Sequence, residues 1–192
     1  MIIIKKNIHF ILFHYKNLSM KSIVSSVLLL TVLLMGSACK AQDKSKRPSP
    51  PVMVSQTITS GAVISIDYSQ PSVKGRTIGK DLDPKEGEVW RTGANEATIF
   101  ETSQDIKIEG KELPAGKYAL FTIAGKDNWT IIFNKTWKQW GAYDYKTADD
   151  ALRVTVSPQK ADAFAEKMSF SIDKSGLITL LWGDIKVAFT AK

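Results

Sequence analysis

The chain has 192 residues, and its net charge of +7 would ordinarily point to an acidic partner. Five lysines (Lys5, Lys6, Lys16, Lys21, Lys40) precede the first acid, Asp43, and without residues 1–41 the balance is 21 basic to 19 acidic, so nucleic acid is not implied. The same segment holds both histidines, His9 and His14, and the single cysteine, Cys39, which leaves the remainder without a histidine base, a cysteine nucleophile, a His/Cys zinc site or an intrachain disulfide.

From Met20 the chain reads MKSIVSSVLLLTVLLMGSACKAQ. Lys21 supplies a short positive region, Ile23 to Met35 an apolar run, and Gly36, Ser37 and Ala38 the small residues before polar chain begins. That layout is an export signal over residues 20–41. The apolar run falls short of the ~20 residues a spanning helix needs. Residues 1–19 add a second apolar and basic segment that no export signal requires, which places the functional start at Met20. Two readings of processing stand open. A cut after Ala41 would discard Cys39, whereas Gly36-Ser37-Ala38-Cys39 read as a lipobox would make Cys39 the lipidated first residue. Gly36 stands where a good lipobox carries Leu. Either way the expected location is extracytoplasmic, with the membrane reached only through such an anchor.

Residues 42–51 are polar and proline-rich and read as an extended linker without hydrophobic period. The domain expected over 52–192 is all-β. Strands are predicted over 52–59, over 62–68 (with Ala62, Ile64, Ile66 and Tyr68 on one face), and over 88–92, 96–102, 105–109, 117–124 and 129–134. Further strands are predicted over 152–157, 167–173, 177–182 and 185–190. Ser60-Gly61, Leu113 to Gly116, Gly125 to Asn128, Lys174 to Gly176 and Gly183-Asp184 are the expected turns. Residues 158–167 read as one or two helical turns capped by Asp162. Nine to eleven short strands argue for a β-sandwich, with a closed barrel as the alternative.

Three segments interrupt the alternation. Tyr68 to Gly79 (YSQPSVKGRTIG) contains Pro71 and the pair Lys74 and Arg76 around Gly75, and reads as a crossover or edge loop. Arg76 could hold an anion there, or be plain exposed charge. Trp90 to Glu96 (WRTGANE) sets Arg91 and Asn95 beside a large aromatic at a strand mouth. A planar guanidinium suits carboxylate or phosphate, while the competing role is Arg91 tying loop to sandwich and Trp90 filling the core. Asn134 to Asp150 (NKTWKQWGAYDYKTADD) gathers Trp137, Trp140, Tyr143 and Tyr145 among polar partners. Flat aromatic faces beside hydrogen-bonding groups suit sugar rings, and the competing role is a cover packed over the sandwich. The acids include no convincing glycosidase pair by spacing, and Asp81, Asp83, Glu86 and Glu88 fit no EF-hand loop. No metal or cofactor is implied.

These runs resemble the bacterial domain of unknown function 2911 (DUF2911) family, common in Bacteroidetes. The matching stretches are YSQPSVKGRTIG at 68–79, VWRTGANEAT at 89–98, IEGKELPAGKYALFTI at 108–123, and Asn134 through WGAYDY at 140–145 to Leu152-Arg153-Val154. The resemblance implies exported β-sandwich proteins, often secreted or lipid-anchored, and supplies no catalytic residue. It adds Arg153 to the residues of interest. The expected function is a non-catalytic binding domain for a small polar or saccharide ligand, held by Arg76, Trp90, Arg91, Asn95, Asn134, Trp140, Tyr143 and Arg153. A carboxylate-based polysaccharide hydrolase or lyase and an envelope assembly factor are the alternatives.

Overall fold

A computed structural model describes residues 43–192. The predicted export segment, its start at Met20 and Cys39 lie outside the described residues. The described chain forms eleven strands: β1 (Pro51–Thr57), β2 (Val63–Ser69), β3 (Val89–Trp90), β4 (Ala94–Thr102), β5 (Ile106–Ile108), β6 (Lys111–Leu113), β7 (Gly116–Ala124), β8 (Trp129–Asn134), β9 (Asp150–Val156), β10 (Gln159–Ile172) and β11 (Leu177–Thr190). Six of them lie antiparallel in the order β1-β2-β4-β7-β8-β9, with β3 paired to part of β7. The β10–β11 hairpin is the second layer, and β5–β6 is a small separate hairpin. No sheet closes on itself among the described residues, so the architecture is the expected sandwich and not the barrel.

The core follows from period two. Ile64, Ile66 and Tyr68 of β2 point inward with Phe100, Leu120, Ile131, Phe133 and Val154 of successive strands. They meet Met168 and Phe170 of β10 and Ile178, Leu180, Trp182, Val187 and Phe189 of β11. β7 and β8 depart from simple alternation because both of their faces are covered. Their outer residues Ala119, Phe121 and Ile132 join Ala97 in a second cluster, closed over by Trp137, Ala142 and Tyr145 from the β8–β9 loop. That loop is therefore a cover on the outer face of the main sheet, opposite the hairpin.

Two expectations about the C-terminal third are corrected. Residues 158–167 are strand, not helix: β10 begins at Gln159. Register shifts on either side of Ala165 break its period, leaving Ala161 and Met168 as its first two buried residues. A pattern with two irregularities mimics no strand. Likewise, Gly183-Asp184 is no turn but lies within the single strand β11. Gly183 pairs with Ala165 at the irregularity with φ +60, and a Cβ there would come within 2.5 Å of Ile78 Cδ1.

The segment expected to be a featureless linker also has structure. Lys44–Lys46 form a 3-10 turn capped by Asp43, whose carboxylate accepts from Ser45 N–H at 3.1 Å. Pro51 already belongs to β1.

Candidate functional site

The turn entering β4 sets up the site. Trp90 is buried, donates from Nε1 to Gly93 O at 3.1 Å, and stands edge-on to Trp129. It is a core residue. Thr92 and Asn95 both take left-handed backbone angles (φ 52 and 57), uncommon for residues with a Cβ. They are held there by their neighbours: Thr98 Oγ1 donates to Thr92 O at 2.8 Å, and Asn95 O accepts from Gly141 N–H at 3.0 Å. The Asn95 amide donates to Ser49 O at 3.1 Å, so this one residue joins the β8–β9 loop to the N-terminal segment.

One residue further, Glu96 and Trp140 form an antiparallel bridge, and Ala97 N–H donates to Gln139 O at 3.1 Å. The loop thus adds a short extra rung beside β4. Between that rung, β2 and the N-terminal segment lies a cleft of about 510 Å³. Its wall includes Asp67, Glu96, Trp137, Gln139 and Trp140, with Lys44 and Lys138 at its margin. Trp140 is 52% exposed and Tyr143 85%, unusual for large aromatics on a folded loop. Trp137, by contrast, packs on the sheet, with Lys117 Nζ 5.6 Å from its ring centre.

Glu96 is the electrostatic centre of the cleft. Arg47 Nη1 donates to both of its carboxylate oxygens, at 3.0 and 2.9 Å, and Lys44 Nζ lies 3.0 Å from Oε1. The Arg47 guanidinium also stands 5.9 Å from the centre of the Trp140 ring. Partial burial pushes the Glu96 carboxyl up, but the Arg47 hydrogen bonds, its own backbone N–H and Lys44 outweigh it and hold the group at about 2. The ordinary unfolded value is ~4.3. A depressed carboxyl contributes stability that is present above its unfolded pKa and lost as pH falls through the folded one. The expected outcome is release of residues 44–49 from the cleft between about pH 4.5 and about 2, with the sandwich still formed. Amide chemical shifts of Lys44 to Ser49 followed against those of β7 would check it; simultaneous loss of both sets would contradict it.

The other end of the loop is tied by a separate set. Asn134 is fully buried; its Nδ2 donates to Lys146 O at 3.0 Å and Asp150 Oδ1 at 2.8 Å, and its Oδ1 accepts from Thr136 N–H at 3.0 Å. Tyr145 donates to Asp150 Oδ2 at 2.8 Å, and Arg153 Nε donates to the same oxygen at 2.6 Å. Burial first and the Asp150 carboxylate second push the Tyr145 hydroxyl up, which keeps it protonated as that donor.

The eight residues predicted to share a ligand therefore divide. Asn95 and Trp140 belong to the cleft region. Tyr143 rides on the same loop, its ring against Gly141. Arg91 lies beneath that loop, 3.8 Å from Asp83 Oδ2 and with a buried Nε that has no partner among the described residues. Asn134 and Arg153 anchor the loop's ends. Arg76 is remote: it is exposed and hydrogen-bonds Ser72 O and Val73 O of its own turn, at 2.8 and 3.1 Å. Trp90 is core. Sequence reasoning missed Glu96, Arg47, Lys44, Asp67 and Gln139. Glu96 stood in the WRTGANE run, where an acid at the first position of a predicted strand was the available signal; nothing in the DKSKRPSPP stretch marked Lys44 and Arg47 as its partners. Among the described residues no group of three His, Cys, Asp or Glu is placed to hold a metal ion.

Neither a curated protein nor a solved structure matches the chain. A family model does, over residues 49–191, and its description is "Protein of unknown function (DUF2911)". That span takes in the whole sandwich, the β4 turn and the β8–β9 loop. The chain belongs to the DUF2911 family.

Proposed function

We propose that this domain is an exported, non-catalytic binding module that takes a small polar or saccharide ligand in the cleft between β2, β4 and the β8–β9 loop. The observation that carries the reading is Trp140. Its ring stays half-exposed on a loop fastened at both ends, beside the carboxylates of Asp67 and Glu96, the latter already holding Arg47 and Lys44, a polar and aromatic wall suited to a ligand lying on that ring. A cleft of about 510 Å³ is in the size range of small-molecule sites. The hydrolase alternative needs a carboxyl kept protonated near neutral pH, and Glu96, at about 2, is not that group. Export rests on the leader read from residues 20–41, and mass spectrometry of the mature N-terminus would find either Gln42 or a lipidated Cys39 in first place.

The direct test is titration of the mature domain with glucose, N-acetylglucosamine, glucosamine and their disaccharides, followed by the indole N–H signals of its tryptophans. Saturable shifts are expected at Trp140, and Trp140→Ala should weaken binding about tenfold, or ~1.4 kcal/mol. Shifts absent throughout, or centred on Arg76, would overturn the assignment of the cleft.

A further inference from the structure

We infer that Glu96 and Trp140 together form a receptor for an ammonium or guanidinium group, and that Arg47 of the chain's own N-terminal segment occupies this receptor as an internal ligand. The inference rests on the cleft being the binding site and names the class of ligand it takes: a small polar molecule, such as an amino sugar or an alkylguanidine, carrying one positive group.

The geometry is that of cation recognition. One guanidinium nitrogen spans both oxygens of Glu96, and the same guanidinium lies near the ring of Trp140. A carboxylate supplies charge-assisted hydrogen bonds and an aromatic face supplies its quadrupole, a combination suited to a cation and of little use to an anion. Glu96 and Trp140 are held in place without Arg47, because they are bridge partners flanked by the Ala97–Gln139 and Asn95–Gly141 hydrogen bonds. The receptor is therefore built into the sheet and its added rung.

The backbone segment that carries Arg47 is held less firmly than its side chain. Residues 43–46 are exposed, and none of the 3-10 turn is buried. Apart from the two cations on Glu96 and the Arg47–Trp140 contact, the Asn95–Ser49 hydrogen bond is, among the described residues, the one bond from the segment before Pro50 to the domain. The Arg47 side chain is only 18% exposed, so it fills the receptor as a ligand does, while its neighbours on the segment stay exposed or half-buried and bring no buried apolar anchor with it. Withdrawal of the segment removes Lys44 as well as Arg47. The cleft would then expose Asp67 and Glu96 against Lys138 alone, an acidic pocket with an aromatic wall. Gln139, whose Nε2 is committed to Thr136 O, keeps a buried Oε1 that has no donor among the described residues.

A tethered group competes at an effective concentration on the order of millimolar. The wild-type domain is therefore expected to bind a free cation weakly, and Arg47→Ala to bind it about tenfold or more tightly. The experiment uses residues 42–192, which hold the whole sandwich and the Arg47 segment, with agmatine and glucosamine as cationic probes and glucose as the neutral one, read by calorimetry and by the Trp140 indole signal. In the wild type, saturating agmatine should also move the amide signals of Lys44 to Ser49 toward those of a free peptide. Glu96→Gln placed on the Arg47→Ala background keeps the shape and removes the charge, and it should abolish cation binding. Equal affinity in wild type and Arg47→Ala, or affinity that survives Glu96→Gln, overturns the inference. Binding of glucose without either cation overturns it too, but leaves the saccharide reading standing. No shift at Trp140 with any probe in either protein sinks both.

Discussion

Asn134→Ala is expected to cost about 2–4 kcal/mol of unfolding free energy and to dismantle the cleft before it unfolds the sandwich. The side chain is fully buried and makes three hydrogen bonds, one of them to a carboxylate. Deleting it removes the bonds to Lys146 O and Thr136 N–H, worth roughly 0.5–1.5 kcal/mol each, and the charge-assisted bond to Asp150, worth roughly 1.5–3 kcal/mol. Asp150 suffers less, because its Oδ2 retains Tyr145 and Arg153. The damage is directional. Thr136 and Lys146 are the two ends of the β8–β9 loop, and between them stand Trp137, Gln139 and Trp140. Denaturant unfolding would give the stability loss, and amide exchange across residues 136–146 should rise at denaturant concentrations where β7 is still protected. Uniform exchange across loop and sheet would show that the loop is not a separately held cover.

The distribution of these roles explains what could be read in advance. Strands such as β2 were legible because one face is buried and the other is not, so Ile64, Ile66 and Tyr68 declare themselves at period two. β10 hid because its register shifts on both sides of Ala165: Lys160 to Ala165 runs against only Ile185 to Gly183, and Ala165 to Ser169 against only Gly183 to Leu181, so no single period spans Ala161 and Met168. The loop was legible as a feature but not as a division of labour. Four aromatics within nine residues announced something functional or covering, and both are true: Trp137 and Tyr145 cover while Trp140 and Tyr143 face solvent. What separates them is which strand residues lie underneath, and only the sheet order supplies that. Arg76 misled because a cation beside a glycine looks the same whether it waits for an anion or caps its own turn's carbonyls. The largest omission was the cation pair on Glu96. Arg47 and Glu96 are 49 residues apart, and no local pattern links a proline-rich segment to a strand mouth.

The neighbour of Asn134 in sequence should behave in the opposite way. Phe133 is fully buried on the inner face of β8, edge-on to Phe100 at 4.9 Å, Phe189 at 6.2 Å and Tyr118 at 6.4 Å. It thereby joins β4 and β7 of the main sheet to β11 of the covering hairpin. Phe133→Ala removes the ring from a site where strands on three sides limit collapse, and such truncations cost about 3–5 kcal/mol. Each lost edge-to-face pair belongs to the ~0.5–1.5 kcal/mol class, which puts the upper half of that range in view. The cleft lies on the other side of the sheet, and its wall contains no residue that touches Phe133 through these aromatic pairs. Global unfolding in denaturant should shift by the full amount, while probe affinity at Trp140, measured where the variant is still folded, stays within about twofold of wild type. A matching loss of affinity would mean that the inner core sets the cleft's shape, and that the outer loop is not held independently by Asn134, Asp150 and Asn95. Unchanged affinity would show two adjacent residues on opposite faces of one strand doing different work: Phe133 carries stability alone, and Asn134 carries stability together with the shape of the cleft.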